Sequence, residues 1–68
     1  MLGEAIKFHR TKKALSVKEL AKRLNVSEDA VRFWELGIRQ PKLDNIRKLA
    51  EIFGIEVEQL TQYYKGGK

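Results

Sequence analysis

The chain has 68 residues, room for one compact domain, and a chain this short buries only about 60% of its unfolded surface, which argues against a deep catalytic cleft. It has no cysteine, so disulfide staples, thiolate nucleophiles and sulfur-ligated zinc are excluded and stability must come from packing. The net charge of +5 is uneven: residues 1–48 carry 12 of the 14 Lys and Arg and six of the nine Asp and Glu, whereas residues 49–64 carry Glu51, Glu56 and Glu58 and no basic residue. A basic segment on a small domain favours a nucleic-acid partner, and the acidic segment implies a different one. No apolar run approaches the roughly 18 residues of a membrane span, so a cytoplasmic location is expected.

Apolar residues recur at helical spacing throughout, and no alternation is long enough for a strand. The expected fold class is all-α, with five helices in one domain over residues 1–64 and a flexible tail at residues 65–68. The first helix spans about Leu2 to Lys13, with Leu2, Ile6 and the aliphatic part of Arg10 on one side. The second opens at Ser16, where Ser16 and Glu19 have capping-box spacing, and buries Leu20, Ala21 and Leu24.

Only three residues, Leu24, Asn25 and Val26, separate that helix from the next cap at Ser27, so the two helices must meet at a steep angle. Asn25 suits the left-handed conformation such a corner demands. The third helix, Glu28 to Leu36, turns Val31 and Trp34 inward and stops at Gly37. A loop containing Pro41 follows. The fourth helix, Leu43 to Phe53, carries the stripe Ile46, Leu49, Ala50 and Phe53 at i, i+3, i+4 and i+7 and ends at Gly54. The fifth runs from about Glu56 to Tyr63, with Val57 and Leu60 turned inward.

The informative unit is the pair of short helices between Ser16 and Leu36. Ala21 lets them approach closely, and Leu20, Leu24, Val26, Val31 and Trp34 form the wedge between them. Such a unit can project its second helix into a major groove about 12 Å wide. A generic helical hairpin could share the same core.

In Leu15-Ser16, Glu19-Leu20-Ala21, Val26-Ser27, Val31, Trp34-Glu35, Gly37, Pro41, Ile46, Leu49-Ala50 and Phe53-Gly54 the chain resembles the phage-repressor and Cro-like helix-turn-helix regulators of the Xre family. The resemblance covers nearly the whole chain. It implies a lambda-repressor-like fold and a repressor that reads duplex DNA with helix 3, as a homodimer at least on DNA.

By position, the resemblance places Ser27, Glu28, Asp29, Arg32 and Phe33 nearest to bases, and these are also the positions left outward once Val31 and Trp34 are buried. Ser16, Val17 and Lys18 would meet one phosphate through the free N–H groups of a helix start. Arg39, Gln40 and Lys42 would meet another. The chain departs from the usual pattern at Val17, where many relatives have glutamine, and at Glu28, Asp29 and Phe33, where polar or basic residues are common. Carboxylates repel phosphates, yet they can accept from cytosine N4, and Phe33 can touch a thymine methyl.

The resemblance also implies a structural ion pair between Arg10 and Glu35, so Glu35 is not a catalytic acid. Ser16 and Ser27 read as caps, and His9, the only histidine, has no second ligand to make a metal site. No catalytic residue and no cofactor are expected. Val57, Leu60, Tyr63 and Tyr64 are candidates for a dimer contact, or they simply cover the core of a monomer. A second class of function stays open, in which the fold is an antitoxin-like or co-regulatory module with a protein partner, anchored by Phe33 and with little specific DNA binding.

Overall fold

The structure, a computed structural model, describes residues 1–64. The tail at residues 65–68 lies outside the described residues. Five helices follow one another: α1 Leu2–Lys12, α2 Val17–Leu24, α3 Glu28–Leu36, α4 Leu43–Phe53 and α5 Glu58–Thr61. Among the described residues there is no strand, and no helix is long and apolar enough to cross a membrane.

Two serines start α2 and α3 in the same way. The Ser16 hydroxyl accepts from the Glu19 N–H at 3.0 Å, and the Ser27 hydroxyl accepts from the Ala30 N–H at 3.0 Å. At α2 the box is completed, since the Glu19 carboxylate accepts from the Ser16 N–H at 2.8 Å. Those bonds hold the Glu19 carboxyl below its ordinary pKa, the Ser16 backbone contributing most.

The first four helices end with one device. A residue of positive φ closes each: Ala14 (58°), Asn25 (59°), Gly37 (79°) and Gly54 (71°). The next residue donates its N–H back to the carbonyl five positions earlier: Leu15 to Arg10, Val26 to Ala21, Ile38 to Phe33 and Ile55 to Ala50, at 2.9–3.0 Å. This is the Schellman stop, which normally tucks the apolar follower against its own helix. Leu15 is buried, and Val26 and Ile55 pack against the core, but Ile38 is 63% exposed.

The core is one cluster built from α1 (Leu2, Ile6), the α1–α2 turn (Leu15), α2 (Leu20, Ala21, Leu24), α3 (Val31, Trp34), α4 (Ile46, Leu49, Ala50, Phe53) and α5 (Leu60). α1 packs chiefly on α3. Gly3 permits this closeness, because a Cβ there would lie 2.4 Å from the Trp34 carbonyl oxygen.

The fifth helix is shorter than the expected Glu56–Tyr63. Its opening residues, Ile55, Glu56 and Val57, include two β-branched side chains, and the Glu56 N–H donates to the Gln59 side chain at 3.2 Å, a bond of the kind that marks a helix start. Beyond Gln62 the bonds are i+3 steps, Tyr63 to Leu60 and Tyr64 to Thr61.

Ala14 is the one stop filled by neither glycine nor asparagine, so it carries left-handed strain of about 1–2 kcal/mol. Ala14→Gly should therefore raise stability by about 0.5–1 kcal/mol, part of the relief being offset by a freer unfolded chain. A urea melt with unchanged slope and a higher midpoint would bear this out; an unchanged or lower midpoint would refute it.

His9 stacks on Phe53 at 5.5 Å between ring centres and meets Phe8 edge-on at 5.1 Å. Burial, reinforced by the nearby Lys12 charge, holds its pKa below the ordinary 6.5. The unfolded chain thus takes up the proton more readily than the folded one. The stability that neutral His9 contributes is complete above about pH 6.5 and is lost as pH falls from there toward the folded value. Denaturation midpoints measured from pH 7 down to about pH 5 should fall more for the native chain than for His9→Gln, and parallel curves would exclude the effect.

Candidate nucleic-acid interface

The α2–α3 unit is set by its two caps and by the corner at Asn25, whose N–H bonds to the Lys22 carbonyl at 3.1 Å. With Val31 and Trp34 buried, α3 presents an outer edge on which the Glu28, Asp29 and Arg32 side chains are 43%, 76% and 52% exposed. These three interact: the Arg32 guanidinium donates to Glu28 at 3.3 Å and to Asp29 at 3.5 Å. Both carboxylates also sit at the positive end of the helix dipole, a favourable placement worth roughly 0.3–1 kcal/mol each. The edge therefore carries a net charge of −1 within a basic segment.

Beside that edge runs an open groove of about 590 Å³ between α3, the following loop and the start of α4. It brings together six of the residues singled out from sequence: Ser27, Asp29, Phe33, Arg39, Gln40 and Lys42. Pro41, fully buried, pins the loop's middle and leaves Arg39, Gln40 and Lys42 exposed around it. Phe33 is half-buried, with the Arg39 guanidinium carbon 5.8 Å from its ring centre.

Ser16, Val17 and Lys18 are not in this groove. They stand at the start of α2, where the Val17 and Lys18 N–H groups lack intrahelical acceptors. Val17 packs partly against the core, and the Glu19 carboxylate already occupies the Ser16 N–H. Asn45, absent from the sequence reading, lines the groove from the first turn of α4. Its signal was available, since it lies off the Ile46–Leu49 stripe just after a loop pinned by proline.

Arg10 and Glu35 form the ion pair that orients α3. The guanidinium meets both carboxylate oxygens, at 2.6 and 3.1 Å, and Nη1 donates to the Leu15 carbonyl at 2.9 Å. The side chains are 12% and 8% exposed. Glu35 is thus held by an arginine.

Among the dimer candidates, Leu60 is fully buried within the single chain, so it covers the core and cannot contact a second molecule. Val57 and Tyr64 are partly buried against the same core, and Tyr63 is 38% exposed.

A capped α2, a tight corner and an outward α3 flanked by a cationic loop define the helix-turn-helix class of DNA-binding proteins. The chain belongs to the helix-turn-helix family, whose model matches residues 6–60. It is 33% identical over 58 residues to the HTH-type transcriptional regulator MJ0272 of Methanocaldococcus jannaschii, covering 85% of this chain and 88% of that protein. It is 28% identical over 61 residues to the cryptic phage CTXphi transcriptional repressor RstR of Vibrio cholerae. That match covers 90% of this chain but 55% of the relative, so the chain spans about half of that protein's length.

Two solved structures share the fold. SinR, a master regulator for biofilm formation solved in complex with DNA, gives a TM-score of 0.81 at 26% identity over 88% of this chain and 97% of that one. The SinR–SinI protein complex gives 0.83 at 25% identity over 93% of this chain and 62% of that one. The family and these curated relatives are transcriptional regulators, not enzymes.

Removing one partner of a nearly buried ion pair leaves an uncompensated charge and costs about 3–5 kcal/mol. A chain this small has only about 3–10 kcal/mol of stability in all. Arg10→Ala or Glu35→Ala should therefore leave much of the protein unfolded at room temperature, whereas Arg10→Met with Glu35→Leu should recover most helicity. Circular dichroism during thermal melts checks both, and a single variant as stable as the native chain would contradict this account.

Proposed function

We propose that the domain is a sequence-specific repressor that inserts α3 into the major groove of duplex DNA in the cytoplasm. The observation that carries this is the groove beside the outer edge of α3 in which Ser27, Asp29 and Phe33 meet the loop cations Arg39 and Lys42. Ser27, Glu28, Asp29 and Arg32 face the bases. Arg39, Gln40 and Lys42 bind one stretch of phosphates, and the α2 start, where Ser16 caps the helix, approaches another through the free N–H groups of Val17 and Lys18. SinR, whose fold this chain shares, was solved bound to DNA, which supports the reading.

The acidic pair gives this surface its selectivity. On an arbitrary sequence Glu28 and Asp29 stay tied to Arg32 and repel phosphates. On a matched site a carboxylate accepts from cytosine N4 and the freed arginine can reach guanine. Affinity comes from the flanks and discrimination from the edge.

The protein acts as a homodimer on two half-sites about 34–36 Å apart. Tyr63, with exposed Met1 and Ile38 around a recess of about 400 Å³, forms the contact, and Val57 and Tyr64 support it. A second reading, a protein partner, draws on Phe8, 58% exposed on α1, and on the likeness to SinR in its complex with SinI.

Selection from random duplexes should enrich a two-fold symmetric site. On that site, replacing Arg39 and Lys42 by alanine should lower the slope of log affinity against log salt by about 1.8, roughly 0.9 per lost phosphate contact. An unchanged slope would remove these residues from the interface, and failure to enrich any sequence would favour the protein partner.

A further inference from the structure

Phe33 stands on the outward side of α3, yet its ring is partly covered. It is half-buried, and the Arg39 guanidinium lies over it with its carbon 5.8 Å from the ring centre. The Phe33 backbone is engaged with the same loop, because its carbonyl accepts from the Ile38 N–H at 2.9 Å and from the Arg39 N–H at 3.3 Å. Ring and carbonyl thus hold two ends of one residue, Arg39. Two residues on, Pro41 is buried and fixes the loop from the other side.

We propose that Phe33 is a positioning residue for Arg39: its ring serves as the platform that aims the guanidinium at the DNA backbone, and it reads no base itself. The inference rests on the DNA-binding reading above and deepens it. A guanidinium carries its N–H donors in the molecular plane. An aromatic face supports the cation from one side and leaves those donors pointing outward, the arrangement a phosphate needs for a two-pronged contact. An unsupported arginine on an exposed loop would have to be ordered at the moment of binding, and the platform reduces that entropic cost. Asp29 and Lys42 line the same groove. Neither replaces the platform, since Asp29 is tied to Arg32 and Lys42 is a point charge with no planar fork.

The carbonyl bonds are made by the backbone and survive substitution, so a side-chain change isolates the ring. The test uses the native chain, Phe33→Leu, Phe33→Tyr, Arg39→Gln and the Phe33→Leu/Arg39→Gln double variant. Each is titrated at several salt concentrations with a duplex recovered by selection and with a scrambled duplex of the same length. Loss of an exposed cation–π contact of about 0.5–1 kcal/mol corresponds to roughly two- to fivefold. Phe33→Leu should weaken both duplexes by that factor and leave their ratio unchanged. Phe33→Tyr, which keeps the ring, should behave as the native chain, and Phe33→Leu should cost nothing further once Arg39 is glutamine.

A change in the ratio between the two duplexes would make Phe33 a base reader and overturn the proposal. So would an equal loss from Phe33→Leu in the Arg39→Gln background, which would mean that the ring acts through the fold rather than through Arg39. A native chain that bound neither duplex at low salt would overturn the DNA reading itself, and this inference with it.

Discussion

The position of α3 depends on one side chain, Arg10. Its guanidinium clasps Glu35 near the end of α3 and reaches the Leu15 carbonyl in the turn before α2, while its own carbonyl accepts the Leu15 N–H. One residue of α1 therefore fixes the turn that launches α2 and the helix that α2 must support. At the opposite end of α1, Gly3 brings its backbone against the Trp34 and Glu35 carbonyls, an approach that any Cβ would prevent. The last turn of α3 is thus held from both ends of α1, which leaves its first turn as the part that projects.

How the helices stop matters as much as how they pack. In a chain of this length the corners are short, and each must be both sharp and reproducible. Repeating one left-handed stop four times achieves this with few residues, because the residue after the stop is apolar and carries on into the core. The exception informs the surface. At Gly37 the follower, Ile38, does not enter the core and stays exposed near Met1 and Tyr63. An apolar residue left outside by an otherwise regular motif is a reason to look for a partner on that side.

Much of this was legible in the sequence. Serine caps, Asn25, Gly37, Gly54 and the stripe of α4 are local signals with local causes, and helices set by them fall where they are expected to within a residue. Ala14 was silent, since alanine gives no hint of a left-handed stop and only the two bonds around it reveal one. The limits of α5 were also hidden, because several of its bonds are i+3 steps, which the period of the apolar residues does not register. In the candidate interface, the edge of α3 and the loop cations could be named from position. The stacking of Arg39 on Phe33 could not, for it depends on how the buried Pro41 folds the loop back toward α3.

The charge pattern of the interface follows a division of labour that the fold makes possible. A recognition edge that was itself strongly basic would hold any duplex, since phosphates are everywhere and cations do not distinguish them. Here the cations stand on the loop beside α3, while the edge of α3 carries two carboxylates and one arginine bound to both. In the proposed complex the loop supplies attraction without sequence information. The edge contributes a penalty that only particular base pairs can relieve, since a carboxylate brought into the groove gains an acceptor's partner from cytosine and none from a phosphate. Such a surface gives up some total affinity, yet the difference between matched and unmatched sites widens, and that difference determines where a regulator resides among many competing sequences.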